Sequence, residues 1–136
     1  MKKARLKITQ SDSTGQNIQL LGLSAGIDFY RIAYFLDKLL EAEQVQHTID
    51  IEPHSEVILY ESEFDNHCVY LLKNLLHDGY FFPNVKSADY IMLLVGEISS
   101  NFIESLKLKL QSLEQVQSIF VIDNKLAAKN KLKYFD

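Results

Sequence analysis

The sequence predicts an α+β protein. We expect residues 1–136 to form one domain, with a mixed β-sheet of about six or seven strands and two long helices. Three observations predict this fold: apolar stripes at helical spacing in 24–43 and 99–113, alternating apolar and polar residues in several shorter segments, and a strand–helix–strand run over 89–122. The alternating segments predict an antiparallel centre, and the strand–helix–strand run predicts one βαβ unit with parallel strands and a right-handed crossover.

The two stripes set the expected limits of the helices. The first helix should begin at 24–28, capped by Ser24 or Asp28, and end near 43. The second should begin at 99–101 and end near 113, because Asn101 and Glu104 have capping-box spacing.

The strands are expected between these helices and on either side of them. They are predicted near Ile8 and at 17–23, 45–52, 56–64, 67–75, 88–95 and 115–123. The Asp65-Asn66 pair separates two apolar segments and predicts a tight hairpin. The nearly continuous apolar run at 88–95 predicts a strand that is buried on both faces.

Basic residues concentrate at the two ends of a chain whose net charge is −4. The segments 1–7 and 125–136 contain a candidate basic patch, made of Lys3, Arg5, Lys7, Lys129, Lys131 and Lys133. We favour the interpretation that these basic residues protect edge strands from pairing with other molecules and keep the protein in solution. Binding of a nucleic acid is the alternative, and the acidic body between the ends disfavours it.

Composition excludes several classes of protein. Cys68 is the single cysteine of the chain, so no intrachain disulfide and no cysteine-rich metal site can form. The sequence has no apolar run of membrane-spanning length, and residues 1–8 do not have the apolar core of a signal peptide. We therefore expect a cytoplasmic protein without a membrane span.

The first predicted helix carries aromatic residues outside its core stripe. Tyr30 and Tyr34 lie one turn apart on the flank of the stripe, and Phe35 lies on the far side. These three residues are a candidate surface for a protein partner or for self-association. Alternatively, the two tyrosines widen the core face and keep their hydroxyl groups in water.

The stretch FFPNVKSADYIMLL, at 81–94, carries a resemblance to a known family. Its residues Phe82, Pro83, Asn84, Ala88, Asp89 and Tyr90 resemble the motif of the bacterial IPExxxVDY family. Pro83, Asp89 and Tyr90 agree with that motif, whereas the other three residues are replacements. Leu21-Gly22-Leu23 and the helix start around Asp28, Tyr30 and Arg31 are also similar to the family. The resemblance implies a small intracellular bacterial α+β protein and assigns no catalytic residue.

The same stretch has two interpretations in physical terms. Pro83 favours an extended conformation at Phe82, and the phenylalanine rings can anchor a loop to the core before the strand begins. We favour this docking role. A loop at 77–90 that grips a ligand is the alternative.

No spacing of reactive residues predicts catalysis. The histidines lack metal-site spacing, and His47 lies on the apolar side of a predicted strand, where a hydrogen-bonded core histidine is expected. His67 and Cys68 should point to opposite faces of their strand. Acidic residues that could bind a cation if the strands pair are Asp50, Glu52, Glu61, Glu63 and Asp65. We expect no catalytic residue, no cofactor and no metal site.

Three functional hypotheses remain. We favour a non-catalytic protein-interaction module, either an adaptor or a homo-oligomer. Association with RNA or the ribosome through the basic ends is the first alternative. A small-ligand-binding protein or enzyme that uses the 77–90 loop is the second alternative.

Overall fold

The computed structural model describes residues 18–123 and Phe135. Over these residues the chain forms β1 (Ile18–Ala25), α1 (Phe29–Leu40), β2 (Gln44–Ile51), β3 (His54–Glu63), β4 (His67–Lys73), β5 (Leu75–Leu76), β6 (Gly79–Tyr80), β7 (Tyr90–Gly96), α2 (Ser100–Gln111) and β8 (Val116–Ile122). The predicted α+β class is confirmed. The strand near Ile8 and the segments 1–7 and 125–134 lie outside the described residues.

Six strands form one sheet in the order β2-β3-β4-β7-β1-β8, and all pairs of neighbours in it are antiparallel. Because β7 and β8 both pair antiparallel with β1, they run in the same direction on either side of it. The predicted parallel direction is therefore confirmed, but the βαβ unit is split by β1. The handedness of its crossover stays a prediction.

The helices are shorter than predicted, at 12 residues each. α1 cannot begin at Ser24, because Ser24 and Ala25 still pair with β8. Instead, the Asp28 side chain caps the helix by accepting a hydrogen bond from the Arg31 amide at 3.0 Å. The helix ends at Glu41, which adopts a left-handed conformation with φ of 54°.

The predicted capping box of α2 is wrong. Ser99 is the N-cap residue, and its hydroxyl accepts a hydrogen bond from the Phe102 amide at 3.1 Å. Asn101 lies inside the first turn, so it cannot cap the helix. α2 ends at Gln111, where the Ser112 amide donates to carbonyl groups of the last turn.

The sheet is apolar on both faces because its central strands alternate between two cores. Leu21, Leu71 and Met92 belong to the core that packs against α1 and α2. Among the described residues, Leu72 and Ile91 belong to the opposite core, which contains no residue of α1 or α2 and which we call the helix-free core. The predicted burial of 88–95 on both faces is confirmed for Ala88 and for 90–94, whereas Asp89 is exposed and Val95 is partly buried.

The loop after β6 covers part of the helix-free face, and Asn74 holds it there. The Asn74 side chain is buried; its Nδ2 group donates to the carbonyl oxygens of Val85 and Ala88 at 2.8 and 3.0 Å. Its Oδ1 atom accepts from the Phe82 amide at 2.9 Å. The backbone of Asn74 also donates to the Asp89 carbonyl and accepts from the Phe81 amide. Asn74 therefore forms hydrogen bonds with the backbone at both the beginning and the end of the loop.

The residues of the 81–94 stretch anchor this loop and start β7. Phe81 and Phe82 are fully buried, with their ring centres 4.7 Å apart. The Asp89 side chain accepts a hydrogen bond from the Ala25 amide at 3.0 Å, and the Tyr90 hydroxyl donates to the Ile27 carbonyl. The stretch thus joins the loop to the β1–α1 connection, which supports the docking interpretation.

Asn74→Ala should destabilise the fold by about 3 kcal/mol, because it leaves a buried amide and two buried carbonyl groups without their partners. Urea denaturation monitored by circular dichroism measures the loss. Asn84→Ala is the matched control, since Asn84 is exposed in the same loop. Equal midpoints for Asn74→Ala and the parent protein would contradict the anchoring role.

Phe82→Ala should lower the free energy of unfolding by about 3 kcal/mol, because it opens a cavity in the helix-free core. Thermal unfolding checks this value. A ligand-gripping role for Phe82 instead predicts an almost unchanged melting temperature.

Candidate functional site

The candidate site is the aromatic side of α1. Four of its residues, Phe29, Ile32, Ala33 and Leu36, form the buried stripe. Tyr30 and Tyr34 lie off this stripe and are 62% and 57% exposed, whereas Phe35 is half-buried and packs edge-on against Tyr34 at 5.8 Å. We call Tyr30, Tyr34 and Phe35 the tyrosine surface. The sequence singled out these residues, and the structure places the two tyrosine rings largely in solvent.

A concavity of about 250 Å³ lies beside this surface, and we call it the tyrosine pocket. Tyr60 on β3 forms part of its wall, together with the helix tyrosines. Its lining residues are Tyr30, Ala33, Tyr34, Asp37, Glu43, Gln44 and Tyr60. The pocket therefore combines three phenol rings with two carboxyl groups and one carboxamide.

The carboxamide of Gln44 has a fixed orientation. Its Nε2 group donates to the Ala33 carbonyl oxygen at 2.8 Å, and a carbonyl oxygen can only accept a hydrogen bond. The Oε1 atom is buried and has no partner among the described residues, and the same is true of Asp37 Oδ1. Both acceptors belong to residues that line the pocket, and both atoms are covered in the unbound protein.

The hydroxyl of Tyr60 remains a donor at neutral pH. Burial, and secondly the neighbouring Tyr30, raise the pKa of Tyr60 above its usual value. Lys38 adds a positive group nearby, with its Nζ atom 5.1 Å from the centre of the Tyr34 ring. That contact is a cation–π interaction within α1.

A second concavity, of about 230 Å³, lies on the other side of Tyr30. It is mainly apolar, and its lining residues are Phe29, Tyr30, Glu56, Ile58, Lys73, Leu75, Leu76 and His77. Leu75, 53% exposed, adds apolar area beside Tyr30. Tyr30 therefore lines both hollows.

Sequence reasoning missed four residues of the tyrosine pocket: Asp37, Glu43, Gln44 and Tyr60. The strand alternation carried a signal for one of them. Ile58 and Tyr60 lie on the face of β3 that packs toward the helices. The strand alternation therefore indicated that Tyr60 would lie next to a helix. The other three surround the end of α1, which was predicted too far along the chain.

The residues that resemble the IPExxxVDY motif do not line either hollow. Phe82, Ala88 and Tyr90 are buried, whereas Pro83 and Asn84 are exposed. The ligand hypothesis for 77–90 is weakened because both phenylalanine rings of that loop are occupied by core packing. The candidate basic patch, Lys3, Arg5, Lys7, Lys129, Lys131 and Lys133, lies outside the described residues.

Two histidines, His47 and His54, pair with carboxylates. His47 Nε2 lies 2.8 Å from Glu61 Oε1, and the Tyr70 hydroxyl donates to Glu61 Oε2 at 3.3 Å. His54 Nδ1 lies 2.8 Å from Asp78 Oδ1, and this hydrogen bond lowers the pKa of Asp78. The hydrogen-bonded role predicted for His47 is confirmed, although its ring is partly exposed.

His67 and Cys68 point to opposite faces, as predicted. His67 packs between Phe64 and Phe102 at 4.7 and 4.8 Å, whereas Cys68 lies in the helix-free core. The acidic residues do not gather on one wet face, because Glu61 is buried beside His47. Among the described residues no group of His, Cys, Asp and Glu has the geometry of a metal site.

Comparison with known proteins gave no assignment. No protein-family model and no curated protein matches the sequence. Within 18–123, no helix is long and apolar enough to cross a membrane.

Stability should depend on pH through His67. Burial lowers its pKa below the ordinary value of 6.5, and its Nε2 atom has no partner in the described part of the chain. The unfolded chain therefore binds a proton more readily than the folded protein, so the free energy of unfolding should fall as the pH drops below about 6.5.

His67→Phe should remove this pH dependence. As the pH is lowered from about 7 to about 5, the free energy of unfolding of the variant should therefore rise relative to that of the parent protein. Urea titrations at several pH values measure the difference. His77→Gln is the control, because the His77 side chain is 68% exposed. A stability difference between His67→Phe and the parent that does not vary with pH would contradict the prediction.

Proposed function

We propose that this protein is a non-catalytic interaction module that receives a partner protein on the tyrosine surface of α1. The observation that carries the proposal is the exposure of Tyr30 and Tyr34 beside hollows: both residues line the tyrosine pocket, and Tyr30 also lines the second hollow. Tyrosine is enriched at protein interfaces because its ring buries a large area while its hydroxyl keeps a hydrogen bond.

The surface differs from the scattered apolar residues elsewhere. Leu108 on α2 and Val121 on β8 are also exposed, but no hollow described here includes them. Single exposed apolar side chains are ordinary on folded proteins. Two exposed tyrosines one turn apart that line a hollow, one of which also lines a second hollow, form a combination suited to anchoring a partner.

A cytoplasmic bacterial setting and membership of the IPExxxVDY family are part of the same proposal. They rest on the resemblance in 82–90 and around Gly22. Two physical contacts support treating these stretches as one unit. Gly22 pairs with Ile91, and a Cβ atom at Gly22 would lie 3.1 Å from the Ala88 Cβ atom. The LGL segment and the 82–90 segment therefore constrain one another in space.

The double substitution Tyr30→Ser with Tyr34→Ser should abolish the interaction and leave the fold intact, because neither ring belongs to the buried stripe. Tagged parent and variant proteins are used to capture partners from a bacterial lysate, and sedimentation velocity measures self-association. Proteins captured by the parent, or its own dimer, should be lost at least tenfold in the double variant. That loss corresponds to about 1.4 kcal/mol or more.

Leu108→Ser is the matched control, because it also removes an exposed apolar side chain from a helix. It should retain every partner. The proposal is overturned if the double variant captures the same proteins as the parent. Capture of RNA that persists in the double variant and weakens steeply with salt would instead favour the nucleic-acid alternative.

A further inference from the structure

We propose that the tyrosine pocket binds an arginine side chain of the partner protein. The inference rests on the proposed function and names the chemistry of its central contact. Four properties of the pocket lead to it: its aromatic wall, its unsatisfied acceptors, its charge and its size.

The aromatic wall favours a cation. Tyr30, Tyr34 and Tyr60 present three phenol rings to one hollow, and the face of such a ring carries negative electrostatic potential. The protein already uses this property once, because Lys38 places its ammonium group over Tyr34. A guanidinium group gains more than an ammonium group, since it is planar and can stack on the ring.

The unsatisfied acceptors require a donor. Asp37 Oδ1 and Gln44 Oε1 are both buried without a partner among the described residues, and each such group costs free energy until it accepts a hydrogen bond. Gln44 cannot relieve the cost by rotating its amide, because it would lose the bond from Nε2 to the Ala33 carbonyl. Both oxygens are covered in the unbound protein, so a guanidinium group, with five N–H donors and no acceptor, can satisfy them only when the side chains that cover them move aside.

Charge selects the same ligand. The residues lining the pocket include Asp37 and Glu43 and no basic residue. An anionic ligand would meet like charge there, whereas a guanidinium group forms charge-assisted hydrogen bonds with a carboxylate.

Size favours a side chain over a larger free molecule. The hollow holds about 250 Å³, below the roughly 300–1,000 Å³ of pockets that enclose drug-sized ligands. One arginine head group with part of its stem suits that volume. The rest of the partner would then lie across Tyr30 toward the second hollow.

The test uses the full chain, labelled with ¹⁵N, and N-acetyl-arginine amide as the probe. Two-dimensional NMR spectra follow the titration in the millimolar range. We expect saturable shifts of amide signals in 30–44 and around Tyr60. N-acetyl-citrulline amide has nearly the same shape without the charge and should bind roughly tenfold more weakly. The lysine analogue should also bind more weakly than arginine, because its ammonium group cannot stack.

Asp37→Asn should weaken arginine binding several-fold while the spectrum shows an intact fold. Glu114→Gln is the control, because Glu114 is exposed and lies outside the pocket. Absence of shifts in 30–44, or equal binding of arginine and citrulline analogues, would overturn the proposal. Equal binding of the lysine analogue would overturn the choice of arginine.

The outcome is separable from that of the proposed function. The NMR titration contains no partner, so the pocket can fail to bind arginine while the tyrosine double variant still loses its partner. Conversely, an arginine-binding pocket in a protein whose partners ignore the tyrosine substitutions would refute the interaction module and leave the pocket chemistry standing.

Discussion

The hydrogen bonds of Asn74 are the constraint on which the helix-free side of the sheet depends. A loop that packs on a core must form hydrogen bonds to its backbone amides and carbonyls without water. Otherwise the free-energy cost of the unpaired groups exceeds the stabilisation from its apolar contacts. Asn74 meets this requirement for Phe82, Val85 and Ala88 with one side chain, and for Phe81 and Asp89 with its own backbone. The two phenylalanine rings can therefore be buried in a segment that has no helix and almost no strand. A short loop thus takes on the covering role that α1 and α2 have on the other face.

This division of the cores also leaves the tyrosines of α1 exposed. The helix side of the sheet is already filled by Phe29, Ile32 and Leu36, with Phe29 stacked against Tyr90 at 5.9 Å. Tyr90 belongs to the strand that the Asn74 loop leads into, so the start of α1 and the end of the loop are fixed by neighbouring residues. A fixed helix start of this kind would lower the entropy lost if the proposed partner binds at Tyr30.

Much of the fold follows from sequence periodicity, because burial on a strand or helix face imposes a period of 2 or 3.6. That is why the alternation over β2 and the stripe of α1 were predicted correctly in place and type. The helix limits were not, since Ser24 can either cap a helix or extend a strand, and its pairing with Ser118 of β8 decides between them. Asn74 gave no signal either, because it falls inside the predicted strand 67–75 and its side-chain hydrogen bonds reach residues 8 to 14 positions away. The tyrosine pocket could be predicted in part. The helical spacing of α1 identified Tyr30 and Tyr34, whereas Gln44 joins the pocket through a tertiary hydrogen bond to Ala33 that the spacing does not indicate.

The polar groups of the tyrosine pocket are the strongest argument for the proposal that it binds a ligand. An apolar patch alone would be compatible with chance, and tyrosines at a helix flank often serve only to cover a core. Buried acceptors without partners are rarer, because folded proteins satisfy nearly all of their buried polar groups. Asp37 and Gln44 come from different elements, yet both line the same hollow and both have a covered oxygen without a partner among the described residues. A donor-bearing ligand that displaced the groups covering these oxygens would remove both costs, and that gain would add to its binding free energy.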